Sequence, residues 1–261
     1  MKHSRLLACG ALLIVLAGCA TPPRDPDALA AFKAANDPLE PLNRKTFAFN
    51  QHVDQFFIKP IAKGYRRAIP RTGRDGIRNF IRNLHEPIVL VNNLLQGELK
   101  RAGTTLGRFL ANSTLGIAGI MDFAGRHGLK PQTGDFGQTL YVWGVHEGPY
   151  LVLPVMGPSS PRDAVGMVTD LFTNPILYVT PHFKYRTSFS VGVAVISGVD
   201  ERSRNIDTLD EVQRETVDFY AALRSLYRQD RAAELRHGEL PPAPKTEDLY
   251  SDPGAPSPTD H

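Results

Sequence analysis

The sequence has 261 residues, enough for one sizeable domain or two small ones, and is 42% hydrophobic and 22% charged. Thirty Lys and Arg face 27 Asp and Glu, a net charge of +3. That balance is too even to argue for a nucleic-acid partner, so any attraction to an anionic surface has to come from local clustering.

Lys2 and Arg5 form a positive n-region and Leu6 to Leu16 an apolar h-region of signal-peptide length. The following Leu16-Ala17-Gly18-Cys19 resembles the lipobox of bacterial lipoproteins. This predicts a signal peptide over 1–18, cleavage before Cys19 and acylation of that residue, with a lipidated tether over 19–35. One acyl chain holds a protein to a bilayer only reversibly, whereas the three chains typical of such lipoproteins anchor it for practical purposes permanently. Ala20 and Thr21 lack the aspartate associated with inner-membrane retention, which points to the outer membrane. Cys9 leaves with the signal, so the mature chain has one Cys, and no disulfide framework or thiolate metal site is expected. Loss of Lys2 and Arg5 leaves 28 basic residues against 27 acidic ones.

After Asp37-Pro38, Leu42, Phe49, Val53 and Phe56-Phe57 recur at helical spacing up to Pro60. Beyond Pro70, Ile77, Phe80, Ile81 and Leu84 make an amphipathic face that is expected to end at Pro87. Arg67, Arg71, Arg74, Arg78 and Arg82 form a basic stripe about a quarter-turn away. The stripe is either a solvated face or a set of guanidinium groups placed for lipid phosphates. From about Glu98 to Leu115, Leu99, Ala102, Leu106, Phe109 and Leu110 share a side, while Gly103, Gly107 and Ala111 make a row of small residues suited to close helix approach. "GIAGIMDFAG" (116–125) is apolar but too short to span a bilayer.

"GPYLVLPVMGPSS" (148–160) holds an apolar run between two Gly-Pro corners, and Pro154 argues against a central strand. Strand-like material is limited to 149–155 and 176–196. A last helix, capped by Asp207 and closed by Gly238, carries a narrow seam of Leu209, Val212, Thr216, Phe219, Leu223 and Leu226. Residues 239–261 contain six prolines and are expected to be disordered. No apolar run of 18 residues follows the signal. The chain is predicted to be mainly α, with a few short irregular or strand-like segments.

No catalytic constellation emerges. Ser159 and Ser160 lack the Gly-x-Ser-x-Gly elbow of a hydrolase and suit the cap of a helix beginning near Pro161. His85-Glu86 starts like a zincin motif, but Val89 stands where the second His belongs. "GRDGIRNF" has too few glycines for a phosphate loop, and His146-Glu147 has no third partner. The chain is not expected to be an enzyme or to hold a metal or cofactor.

"NDPLEPLNRKTFAFN" (36–50), "NFIRNLHEP" (79–87), "VNNLLQG" (91–97), "RFLANSTLGIAGIMDFAG" (108–125) and "DFGQTLYVWGVHEGPYLVLPVMGPSSPRD" (135–163) occur in that order after the lipobox. Together they resemble the MlaA/VacJ family of outer-membrane lipoproteins. The resemblance implies a donut-like helical ring over 36–238, lying in the inner leaflet of the outer membrane, often beside trimeric porins. A central amphipathic channel would take misplaced phospholipids from the outer leaflet to a soluble periplasmic carrier and so maintain lipid asymmetry. On that reading Arg74, Arg78 and Arg82 are headgroup candidates. Trp143, Tyr150, Leu151 and Leu153 are channel or interface candidates, with Tyr141, Trp143 and Tyr150 as anchors. Asn43, Phe49 and Asn50 fall in the N-terminal block, where they would set the ring's conformation or gating. Two rivals remain: a porin-associated scaffold lipoprotein without transport, motivated by the seam, and an envelope hydrolase, motivated only by Ser159-Ser160.

Overall fold

Asp25 caps the first described helix. Its carboxylate accepts from the Ala28 N–H, Pro26 takes the first helical position, and Asn36 closes helix α1 (Pro26–Ala35) in the left-handed region. The computed structural model describes residues 20–174 and 186–237. The expected signal peptide, Cys19, residues 176–185 of the expected strand-like stretch, Gly238 and the tail lie outside the described residues. The segment read as a tether therefore contains a helix, and Ala20 donates back to the Pro38 carbonyl.

Helix α2 (Glu40–Val53) runs on through a π turn (Asp54–Ile58) into α3 (Lys59–Ala68). Pro60 was expected to end this helix. The turn of π register before it, in which the Lys59 N–H reaches Asp54 O, widens the backbone and lets the rod continue past the ring. Pro87 likewise lies inside the 25-residue α4 (Arg71–Leu95) rather than at its end. A proline inside a helix costs about 3 kcal/mol, which here is offset by packing against α5 (Leu99–Thr114) across a turn with Gly97 at φ 77°. The expected single helix after residue 207 is two, α10 (Ile206–Glu215) and α11 (Phe219–Leu235). Asp218 caps the second, and His237 at φ 56° follows its end, so the seam bends at Thr216. Asp207 is not a cap but pairs with Arg66, and residues 186–196 are helical, within α9 (Arg186–Arg204). Between lie α6 (Phe123–Arg126), α7 (Phe136–Val142), β1 (Leu151–Leu153), β2 (Gly157–Ser159) and α8 (Pro161–Thr173).

The apolar run that opened at Tyr150 is a tight antiparallel hairpin, Leu151 facing Ser159 and Leu153 facing Gly157. Val155 at φ 66° and Gly157 at φ 84° turn it, with Val155 and Met156 at the exposed tip. Two strands leave both outer edges unpaired, so Pro154 and Pro158 interrupt no central ladder. The free edge of β1 is closed by a helix instead. Asn43 donates to Tyr150 O and accepts from Val152 N; Asn50 donates to Leu153 O and accepts from Val155 N. Seven helical residues rise about 10.5 Å and three extended residues about 10 Å, so the two amides repeat on strand register.

The helix faces are arranged inside out. On α5 the leucines of the apolar side are outside: Leu99 is 72% exposed, and Leu106 and Leu110 are exposed, while Ala102, Thr105, Arg108 and Asn112 are buried. Its contacts with α4 are polar, Asn93 to Thr105, Asn83 to Ser113 and Glu86 to Arg108. The small row Gly103-Gly107-Ala111 does not bring backbones together, since a Cβ on Gly103 would meet nothing within 4 Å. The close crossing is elsewhere: a Cβ on Gly166 of α8 would lie 2.4 Å from the Gly137 nitrogen of α7. Among the described residues 18 buried side chains are polar or charged and eight hydrophobic, whereas 33 large hydrophobic side chains are exposed. The one apolar nucleus, Tyr150, Val152 and Tyr220 with Phe47 and Tyr227, ties the hairpin to α2 and α11.

Candidate functional site

Helix α4, the segment 132–138, α9 and the end of α11 form a helical ring around a cavity of about 370 Å³. That is room for a small polar group and a few waters, each of which takes about 30 Å³. Arg78 and Arg82, one turn apart on α4, reach it, and neither forms an ion pair with another described residue. Burial, then the charges of Arg78 and Arg108, lower the Arg82 pKa, against the opposing pull of Asp122 and Glu86. Glu86 stands one turn further on, 2% exposed. Burial raises its carboxyl despite the Arg108 contact, and its Oε2 is unpartnered. Gln138, 1% exposed, also lines the cavity with both amide atoms unpartnered. Buried polar atoms are rarely left so, and three aimed at one space mark a place for a polar guest.

The ring is held by arginine-centred ion pairs. Arg231 spans Asp135, which caps α7, and Asp163 in the first turn of α8, at 2.7–2.9 Å, and also bonds Glu234. Arg202 bonds both oxygens of Asp54, and Arg204 joins Asp75 to Asp200, which also accepts from Tyr65. Burial and that hydrogen bond push the Tyr65 hydroxyl up to about 12. At the hairpin, buried Asp37 accepts from Asn43, Arg224 and Tyr220.

Burial alone would raise the Asp163 carboxyl, but Arg231, Tyr227 and Arg162 hold it below the usual carboxylate range. A carboxyl depressed in the fold contributes stability above its unfolded value near 3.9, lost as pH falls through the folded value. The thermal midpoint in detergent is therefore expected to fall steeply below about pH 4. Asp163→Asn should be less stable at pH 7 and show a shallower acid slope. Equal acid slopes for the two proteins would refute the assignment.

The sequence-predicted site residues do not all converge. Arg78 and Arg82 line the cavity; Arg74 is not among its lining residues, and its carbonyl accepts from Arg204. Trp143 lies exposed on the outside, its Nε1 donating to Leu95 O, and Tyr141 is exposed nearby. Tyr150, expected at an interface, is 1% exposed in the apolar nucleus, because β1 turns its ring toward Tyr220 and Tyr227. Leu151 and Leu153 are half-buried in β1 and do not line the cavity. Asn43 and Asn50 hold the hairpin, and Phe49 between them faces outward. Ser160 Oγ caps α8, and buried Ser159 bonds the Ser160 carbonyl. His146 and Glu147 form a surface turn beside Asn36.

A family model described as MlaA lipoprotein matches residues 35–234. The chain belongs to that family. Among its relatives, the intermembrane phospholipid transport system lipoprotein MlaA of Escherichia coli K12 is 35% identical, over 90% of each chain. The protein of that name from Haemophilus influenzae is 31% identical, over 92% of this chain and 94% of the other. An uncharacterized protein of Rickettsia felis is 35% identical, over 80% and 82%. A chain solved in work on the structural basis for maintenance of bacterial outer membrane lipid asymmetry superposes with a TM-score of 0.67 at 34% identity, covering 76% of this chain and 98% of that one. The MlaA fold thus carries the mainly helical body and its short hairpin.

Gln138, Glu201 and Glu234 line the cavity and were not singled out in the sequence, and Glu86 was weighed there only as part of a zincin motif. One signal was available on α4. Asn83, Glu86 and Asn93 recur at helical spacing opposite the apolar face, a buried polar stripe that reads as a solvated surface if the outside is taken to be water.

Proposed function

We propose that this chain is an outer-membrane lipoprotein, acylated at Cys19, whose ring sits in the inner leaflet and passes misplaced phospholipids through its cavity toward the periplasm. One observation carries the reading: polar side chains fill the interior and apolar ones cover the outside. In water such a surface drives aggregation. In hydrocarbon it is the stable arrangement, because helices satisfy their own backbone and the charged groups pair inside. Among the described residues no helix is long and apolar enough to cross a membrane, which suits a body confined to one leaflet.

A lipid changing leaflets must keep its charged head in polar surroundings, since stripping a charge of water is very costly. Arg78, Arg82 and Gln138 offer such surroundings, and the exposed faces of α5 and α8 offer hydrocarbon beside them. The relatives' names place them in phospholipid transport between membranes, and the same role is assigned here. A porin against the collar and a soluble periplasmic carrier below complete the route. The hairpin held by Asn43 and Asn50 sets the ring's conformation.

The test is Arg78→Gln with Arg82→Gln in cells that depend on this protein. Surface-exposed phospholipid is expected to rise toward the level of a deletion strain while protein abundance holds. Normal lipid asymmetry with abundant double variant would overturn the role of the cavity.

A further inference from the structure

The cavity is lined by side chains of both charges. Arg78 and Arg82 of α4 form no ion pair with another described residue. Glu201 of α9 and Glu234 of α11 line the same cavity. Glu201 bonds only the neutral Asn205 amide, through one oxygen, and Glu234 shares Arg231 through the other end of its carboxylate, leaving an oxygen of each uncommitted. Of the remaining lining acids, Asp135 is bound to Arg231 and Asp200 to Arg204, while Glu86 on α4 is bound through one oxygen to Arg108 and keeps the other unpartnered. Gln138 lines the cavity too, buried, with neither amide atom hydrogen-bonded among the described residues.

We infer that the cavity reads a zwitterionic phospholipid headgroup, its phosphate on Arg78 and Arg82 and its ammonium on Glu201 and Glu234, and favours it over an anionic lipid. The inference rests on the transport reading and deepens it by naming the lipid class. An arginine pair alone would attract any phosphate and would favour lipids of higher negative charge. The glutamates reverse that order, because a head with no cation to offer them meets only repulsion. Quaternary ammonium heads are recognised by the faces of Trp, Tyr and Phe, and among the described residues none of these lines the cavity, whose one ring is His85. Carboxylates and a side-chain amide suit a primary ammonium, which has three N–H donors to place on them. The favoured head is therefore of the ethanolamine type. Gln138 can donate to phosphate and accept from ammonium at once.

The experiment uses the full-length acylated protein, purified in detergent and incubated with mixed micelles holding equal phosphatidylethanolamine, phosphatidylcholine and phosphatidylglycerol. Retained lipid is quantified by mass spectrometry. The wild type is expected to retain phosphatidylethanolamine at least about threefold over either competitor, the scale of two half-exposed charge pairs. Glu201→Gln with Glu234→Gln should retain as much lipid in total but shift toward phosphatidylglycerol. Arg78→Gln with Arg82→Gln should lower retention of all three. Lipid retained without headgroup preference, or a preference unchanged in the glutamate variant, overturns this inference and leaves transport standing. No lipid retained by the wild type beyond its own anchor overturns the transport reading itself.

Discussion

Arg108→Met is expected to destabilise the fold by about 3–5 kcal/mol, the cost of removing one partner from a buried ion pair. Arg108 is 1% exposed and holds three elements at once. Its Nε donates to Glu86 Oε1 at 3.0 Å, Nη1 to Leu129 O at 2.5 Å and Nη2 to Asp122 Oδ1 at 3.2 Å. Without it Glu86 loses its hydrogen-bonded cation and keeps only the more distant charge of Arg82. The thermal midpoint in detergent should drop by on the order of 10 °C. Adding Glu86→Gln removes the orphaned charge and should restore a large part of the loss, since replacing both partners is far milder than replacing one. An Arg108→Met protein as stable as the wild type, or a double variant no better than the single, would show that the pair carries little.

Helix periodicity was legible. Which face of each helix points inward was not, because periodicity gives the angle between the polar and apolar sides but no sign. On α5 Leu99, Ala102, Leu106 and Leu110 share a side, and spacing does not say which way it faces: the three leucines are on the surface and Ala102 is buried. For the same reason Glu86, Asn93 and Arg108 were not singled out as interior residues. Pro60 and Pro87 misled for a different reason. Proline reports a local cost, whereas a π turn in one case and a packed neighbour helix in the other decide whether the rod breaks. Within the basic stripe, Arg78 and Arg82 do reach the cavity, while Arg67 and Arg71 are exposed. Spacing alone could not divide the stripe, since the division depends on α9 and α11, more than a hundred residues away. Tyr150 was misplaced because an aromatic beside an apolar run suits an interface and a core equally well.

The hairpin offers the other large effect. Asn43→Leu keeps the branching of the side chain at Cγ, at a larger volume, and deletes its amide. Tyr150 O and Val152 N then lose their partners in a buried site, and Asp37 loses a donor. Each stranded group costs about 1–3 kcal/mol, so a loss of roughly 3 kcal/mol or more is expected. Asn50→Leu strands Leu153 O and Val155 N by the same chemistry, but Val155 lies at the exposed tip where solvent or a lipid head can replace the amide. Its cost should stay below about 1 kcal/mol. Asn43→Asp separates geometry from chemistry: it keeps the acceptor for Val152, loses the donor to Tyr150, and sets a second carboxylate beside buried Asp37. That variant should be the least stable of the three at pH 7 and should recover as acid protonates one of the pair. Proteolysis of the 150–159 segment reads the ranking directly, with cleavage fastest in Asn43→Asp, then Asn43→Leu, then Asn50→Leu. Equal cleavage in all three would mean that the strand does not depend on helix α2 for its free edge, and that the hairpin is instead held by the Tyr150–Tyr220 packing alone.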